Sequence, residues 1–243
     1  MTVLLLAGTA EARALADELS GKVPLIVSLR GVTGAPLDYA GDLRTGGFGG
    51  AEGLARYLRA EGIRAVVDAT HPFAARMTAN AAQACQSAGV PCLRLQRPAW
   101  PLQPGWTEVA DMAAAVAALP VGARVFLATG SGSDLAPIAV RPDLSALLRV
   151  IEKPEHVPPN VDLLIARPPF GEADERALMA REGITHLVAK NAGGAAGHAK
   201  LGAADRLGMQ VLLIRRPPLP DGLRVVTDVS AARDWVLGGR AVS

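Results

Sequence analysis

The run Val3-Leu4-Leu5-Leu6-Ala7 breaks at Gly8 and passes, without an intervening loop, into Thr9-Ala10-Glu11-Ala12-Arg13. An uninterrupted apolar run of this length is a strand covered on both faces, and the residues after it read as a helix over about 11–20. A strand that turns at glycine straight into a helix offers unpaired backbone N–H groups and the positive end of a helix dipole. That is the local geometry of a dinucleotide phosphate site. The turn keeps the first glycine of G-x-G-x-x-G and has Ala10 and Arg13 at the second and third places, so alone it is equally a structural turn with Thr9 as N-cap. The next strand, 23–29, ends in Ser28-Leu29-Arg30-Gly31. Folds that select NAD carry an acidic residue there for the ribose 2′-OH, whereas Arg30 suits a 2′-phosphate. The two signals together point to NADPH, with Gly8, Thr9, Ala10, Glu11, Arg13, Ser28, Arg30 and Gly31 as candidate contacts.

The same alternation continues along the chain. Strands are expected at 64–69 and 90–95, helices at 51–62 and 73–88, and a short extended piece over 41–50 that closes in Gly46-Gly47-Phe48-Gly49-Gly50. Residues 97–106 have the Pro/Gly density of a linker. Beyond it, strands are expected at 124–129, 147–151, 162–166, 185–189 and 210–215, with helices at 111–119, 171–182, 197–207 and 230–238. Strands that alternate with helices make βαβ units and a mostly parallel sheet. The expected fold is α/β, as two Rossmann-like domains over 1–98 and 99–243, with a ligand cleft between them where strand C-termini face each other.

Composition narrows the partners. Aromatic residues make up 4% of the 243, too few for base-stacking platforms. A net charge of +2 is too mild for a nucleic-acid footprint but compatible with an anionic small molecule. No apolar stretch approaches the ~18 residues of a membrane span, and the N-terminal run lacks the basic start of a signal peptide. Cys85 and Cys92 form no CxxC, which fits a reduced, cytoplasmic protein. His71, His156, His186 and His198 are scattered away from the cysteines, so no metal site is expected.

Four further constellations bear on chemistry. Four glycines around Phe48 are costly in backbone entropy; they make either a tight turn or a close approach to the adenosine or nicotinamide end of a cofactor, through Gly47, Phe48 and Gly49. Asp68-Ala69-Thr70-His71-Pro72-Phe73-Ala74 ends a strand in polar residues, with Pro72 suited to the first helical position. Thr70 and His71 would project from the sheet edge, His71 as a hydrogen-bond or proton donor. Thr129-Gly130-Ser131-Gly132-Ser133 is a plain loop or an anion cradle; it lacks the lysine of a P-loop and the spacing of a nucleophile elbow. Lys190-Asn191-Ala192-Gly193-Gly194 with Lys200 repeats the strand–loop–helix theme, and Arg167 and Arg215-Arg216 could hold carboxylates or form surface ion pairs.

Together these blocks resemble the precorrin-6A reductase family of cobalamin biosynthesis. The resemblance runs from Leu6-x-Gly8-Thr9-x-Glu11-x-Arg13 through Gly46–Gly50 with Gly53-Leu54 and Tyr57-Leu58, Asp68–Ala74 with Asn80, and Arg97-Pro98-x-Trp100. It continues through Lys190–Lys200 with Ala203-Ala204 to Arg216-Pro217, so it covers nearly the whole chain. Two positions depart from the family pattern: Thr78 replaces a common serine, and Ala192 stands in a Lys-x-Ser-Gly stretch.

The resemblance implies an NADPH-dependent oxidoreductase that transfers hydride to one double bond of precorrin-6A, a corrinoid macrocycle rich in carboxylates, giving precorrin-6B. The pyrophosphate would lie on Gly8–Glu11, the 2′-phosphate near Ser28 and Arg30, and the nicotinamide toward Gly47–Gly49 and Thr70-His71. Candidate substrate contacts are His71, Pro72, Phe73, Ser131, Lys190, Asn191, Gly193, Lys200 and Arg216. His71, solvent or the substrate's own nitrogens would supply the proton. The competing expectations are an NADH-using reductase of the cobalt-containing substrate and a non-catalytic NADPH-binding sensor. Oligomeric state is left open.

Overall fold

The computed structural model describes residues 1–31, 39–130 and 132–238. They divide into two compact units: Met1–Pro98 together with the stretch from Pro217 onward, and Ala99–Arg216.

In the first unit, β1 (Thr2–Leu6), α1 (Ala10–Leu19), β2 (Leu25–Leu29), β3 (Asp42–Thr45), α2 (Gly50–Ala60), β4 (Ile63–Asp68), α3 (Ala75–Ala88) and β5 (Cys92–Leu95) follow in order. The second unit holds β6 (Trp106–Val109), α4 (Met112–Ala117), β7 (Arg124–Ala128), α5 (Ala136–Ala139), β8 (Ser145–Val150) and β9 (Val161–Ile165). It continues with α6 (Glu172–Arg181), β10 (His186–Lys190), a 3₁₀ turn (Ala195–Gly197), α7 (Ala199–Arg206) and β11 (Gln210–Ile214). The chain then returns to the first unit with β12 (Arg224–Val226) and α8 (Val229–Leu237).

The first sheet runs β3-β2-β1-β4-β5-β12 and every pairing in it is parallel. Its strands are thus ordered three-two-one-four-five-six within the unit, the doubly wound order whose direction reverses between β1 and β4. The centre of the sheet explains the apolar first strand. Val3 and Leu5 pack with α1 and α8, while Leu4 and Leu6 face α2 and α3. Alternate residues point to opposite faces, so a strand with a helical layer on each side has no polar position to spare. The same split places Ala65 and Val67 of β4 on one face and Val66 on the other.

The second sheet runs β6-β11-β10-β7-β8-β9, again parallel throughout, and reverses between β7 and β10. One face packs Phe126, Leu147, Leu187 and Leu213 against Leu201, Ala203 and Ala204 of α7 and Met179 of α6, with Trp100 and Trp106 closing the edge.

Three expectations are corrected. The stretch after residue 216 does not belong with the second unit: β12 pairs with β5, and Ala232 and Val236 of α8 join the core under α1. The expected linker gives way at Trp106 to an unexpected strand, β6 (Trp106–Val109), which pairs with β11. Both missed strands lie at sheet edges, β6 half exposed and β12 mostly exposed, so neither carries a continuous buried apolar run. The expected helix 73–88 begins at Ala75, because His71–Ala74 form a turn closed by the Ala74 N–H on the His71 carbonyl at 2.8 Å. Pro72 takes the second place of that turn, a position its fixed φ favours, rather than the first place of the helix.

Candidate functional site

A cavity of about 850 Å³ opens at the C-terminal ends of β1, β2, β3 and β4, where the direction of the first sheet reverses. Gly8, Ser28, Arg30, the Gly46–Gly50 turn, Thr70, His71 and Phe73 line it, so residues far apart in sequence converge on one site. Thr9–Arg13, Gly31 and Pro72 are not among its lining residues.

Gly8 has φ +129°, a conformation that side chains disfavour, and a Cβ built there would meet nothing within 4 Å. The glycine therefore serves the backbone turn and leaves its outer side open. Thr9 caps α1: its hydroxyl accepts the Ala12 N–H at 3.1 Å and donates to the Ala69 carbonyl at 2.8 Å. The cap thus ties the β1–α1 turn to the end of β4. Glu11 pairs with Arg97 at 2.8 Å, and the Arg13 guanidinium lies 5.7 Å from the Tyr39 ring. The side chains of the N-terminal motif consolidate the turn, and its open feature is the backbone at Gly8.

On the next strands, Ser28 is buried and Arg30 exposed, and Arg30 makes no ion pair among the described residues. Arg44 of β3, absent from the sequence reading, donates to the Gly46 and Gly47 carbonyls at 2.6 and 2.9 Å and to Ser28 Oγ at 3.3 Å.

Under Thr70 and His71 lies a buried polar network. Arg94 Nη1 is 2.7 Å from Asp68 Oδ1, with side-chain exposures of 1% and 0%. Asp68 Oδ1 also accepts from the Thr70 backbone N–H and hydroxyl at 3.0 and 2.7 Å, and Oδ2 accepts from the Thr78 hydroxyl at 2.7 Å. Arg94 donates further to the Thr70 hydroxyl and carbonyl, both at 3.0 Å, and to Gln96 Oε1. Thr78 supplies the one hydroxyl that a serine would also supply, which explains why the threonine is tolerated. Arg94 is the residue most clearly missed. Its signal was a lone charge inside the apolar run Cys92–Leu95, which a buried strand tolerates only when paired.

His71 itself is exposed, and its Nδ1 accepts the Phe73 N–H at 3.2 Å. An acceptor Nδ1 places the proton of the neutral ring on Nε2. Pro72 is buried, so it supports the turn rather than facing a ligand.

In the second unit the polar residues gather at the reversal point between β7 and β10. Lys190 Nζ donates to the Thr129 carbonyl at 2.7 Å, and burial pushes its pKa down. The Asn191 amide is committed to the backbone: Oδ1 accepts the Trp100 N–H at 2.8 Å and Nδ2 donates to the Trp100 carbonyl at 3.1 Å. Arg216 donates to the Asn191 and Ala192 carbonyls at 2.8 and 2.9 Å. Gly193, with φ +68°, shapes the same loop. Ser131 lies outside the described residues. Asn191 and Arg216, expected as substrate contacts, therefore brace the loop that carries Lys190.

Lys200 donates to the Gly197 carbonyl at 2.7 Å beside the Trp100 ring. Burial first, and the Arg149 charge second, bring its pKa from the ordinary lysine value to about 8. Arg149 makes a two-pronged pair with the buried Glu175 at 2.7 and 2.8 Å, a partnership not visible in the sequence. An unfolded chain keeps the Lys200 proton to about pH 10.4, and the folded chain only to about 8. Between those values the unfolded state binds more protons, so stability rises with pH. Lys200→Met is therefore expected to be more stable than wild type at pH 7.5, by roughly 2 kcal/mol, with the gap closing by pH 10 in urea melts. A gap that stays constant across that window contradicts the buried, charge-disfavouring setting of Lys200.

Sequence and structure comparisons agree with one another. The family model described as Precorrin-6x reductase CbiJ/CobK matches residues 2–237. The chain is 48% identical over 241 residues to Precorrin-6A reductase of Rhodococcus erythropolis, covering 96% of this chain and 96% of that protein. It is 46% identical over 242 residues to Precorrin-6A reductase of Rhodobacter capsulatus, covering 97% and 94%. The solved structure of CobK precorrin-6A reductase superposes with a TM-score of 0.89 at 44% identity, covering 98% of this chain and 96% of that one. With the two parallel sheets, the open glycine turn and a match over nearly its whole length, the chain belongs to the precorrin-6x reductase family CbiJ/CobK.

Proposed function

We propose that this chain reduces precorrin-6A to precorrin-6B with NADPH. The carrying observation is the cavity at the reversal point of the first sheet, lined by both the unobstructed backbone of Gly8 and the exposed Arg30, which makes no ion pair among the described residues. Relatives named Precorrin-6A reductase at 46–48% identity support the same substrate.

The residues present suit a phosphorylated dinucleotide. The open side of Gly8 admits a diphosphate against the backbone at the start of α1, where the first N–H groups lack helical partners. Ser28 and Arg30 stand at the end of β2, where the ribose of a dinucleotide falls in this strand order, and Arg30 offers a charge for a 2′-phosphate. Gly47–Gly49 and Thr70 would border the nicotinamide end.

When bound, the cofactor supplies the hydride. The chain binds and orients the reacting rings, and Lys190 and Lys200 are the cations it offers to the macrocycle's carboxylates. Reduction of the conjugated double bond also takes up a proton, and His71, with Nε2–H on an exposed ring, is the candidate donor. If the ring delivers that proton, His71→Ala lowers kcat by about 100-fold or more and removes one limb of its pH profile. Wild-type kcat with an unchanged profile removes His71 from proton transfer and leaves solvent or the substrate's nitrogens.

Calorimetric titration with NADPH and NADH tests the nucleotide assignment. A charge-assisted contact contributes about 1.5–3 kcal/mol, so Arg30→Ala is expected to weaken NADPH binding about 10- to 100-fold and leave NADH within about twofold. Equal wild-type affinity for the two nucleotides contradicts the 2′-phosphate assignment, and binding of neither contradicts the mechanism as a whole.

A further inference from the structure

The Gly46–Gly50 turn supplies five consecutive lining residues to the cavity, yet three of its glycines sit at positive φ: +103° at Gly46, +78° at Gly49 and +85° at Gly50. So glycine-rich a segment has little conformational preference of its own, and what holds it comes from neighbouring elements. Arg44 of β3 holds it from below through its bonds to the Gly46 and Gly47 carbonyls. The guanidinium also sits over the ring of the turn's one side chain, with Cζ 3.7 Å from the Phe48 ring centre and 5.0 Å from that of Tyr57. The two rings meet edge to face at 5.2 Å. On the far side, α2 closes in: a Cβ on Gly53 would lie 1.7 Å from the Phe48 carbonyl oxygen, so only glycine permits that approach.

Arg44 makes no ion pair among the described residues, and its hydrogen bonds go to neutral oxygens: two carbonyls and Ser28 Oγ. A guanidinium whose partners are carbonyls of one turn acts as a fork that sets backbone direction. Across a trans peptide the C=O and the following N–H point opposite ways. Holding the Gly46 and Gly47 carbonyls therefore fixes the Gly47 and Phe48 N–H groups on the other side of the turn.

We infer that Arg44 is a positioning residue for the cofactor, locking the Gly46–Gly50 turn in its binding shape through the Gly46 and Gly47 carbonyls. The inference rests on the reading that this cavity takes NADPH. Arg44 acts before the ligand arrives: without it, binding must freeze a glycine segment that is otherwise free, which costs affinity and not chemistry. Because the turn, rather than the 2′-phosphate, is what Arg44 holds, the loss falls equally on NADPH and NADH. Lysine, a single point of charge without a planar fork, does not replace it.

The experiment is calorimetric titration of wild type, Arg44→Lys and Arg44→Ala with NADPH and with NADH, alongside steady-state kinetics at varied cofactor. Arg44→Lys keeps the stem and the charge, and it guards against an alanine variant that fails to fold. Both variants are expected to weaken both nucleotides by the same factor, about tenfold, with KM for the cofactor rising in step and kcat at saturation within about threefold of wild type. Unchanged affinity in Arg44→Ala overturns the inference. So does a loss confined to NADPH that lysine restores, since that pattern belongs to direct contact with the 2′-phosphate. A fall in kcat with KM unmoved likewise overturns it. Wild type that binds neither nucleotide overturns the underlying reading and the inference with it, and is told apart from the other failures by the wild-type titration alone.

Discussion

A buried ion pair at the C-terminal edge of the first sheet sets most of what surrounds it. Asp68 and Arg94 sit at the ends of neighbouring strands β4 and β5, essentially without solvent, 2.7 Å apart. Charges removed from water at this depth persist only when paired and hydrogen-bonded on their remaining sites. Here both carboxylate oxygens and all three guanidinium nitrogens have partners, and apart from Gln96 Oε1 on Arg94 those partners are the loop and the helix after it: the Thr70 N–H, hydroxyl and carbonyl, with the Thr78 hydroxyl of α3. The pair adds little net stability by its attraction alone. Its effect is to make one loop conformation the only one that leaves no buried charge unpaired, and that conformation presents His71 and Phe73 to the cavity.

The same device recurs around both reversal points. Side chains with the chemistry to hold a ligand are used to hold the backbone that would hold it. Thr9 ties the first glycine turn to β4, Arg44 ties the second, and Asn191 and Arg216 tie the Lys190 loop. Such preorganisation is what hydride transfer asks of a protein, because the cofactor carries the reaction and geometry is the protein's contribution.

This division explains what was legible in the sequence. The central strands could be read because β1 and β4 are covered on both faces, which makes Val3–Leu6 and Ala65–Val67 unbroken apolar runs. The glycine turns at Gly8 and Gly46–Gly50 and the Asp68–Ala74 block could be read because few other residues tolerate those conformations or spacings. Edge strands β6 and β12 were hidden by their exposure, half of β6 and most of β12, and with β12 went the return of the chain to the first unit. Arg94 and the Arg149–Glu175 pair were hidden for another reason: they join different strands and helices, and no local spacing encodes a long-range hydrogen bond. Arg44 was hidden because its main partners are the carbonyls of Gly46 and Gly47, and a side chain bonded to backbone leaves no residue-type pattern. Asn191 and Arg216 were read as ligand contacts, and their bonds to the backbone of the loop were not legible, because an amide or a guanidinium looks alike in sequence whatever it faces.

The central claim is that the Asp68–Arg94 pair fixes the loop that forms the cavity wall. Hydrogen–deuterium exchange on Arg94→Met against wild type tests it most directly. Removing one partner of a buried pair costs about 3–5 kcal/mol, and the account places that cost in the segment the pair organises. The predicted result is a loss of protection concentrated in residues 68–78, beyond any uniform change across the two sheets. Protection over 68–78 that matches wild type, or a loss spread evenly over the first unit, would contradict the account.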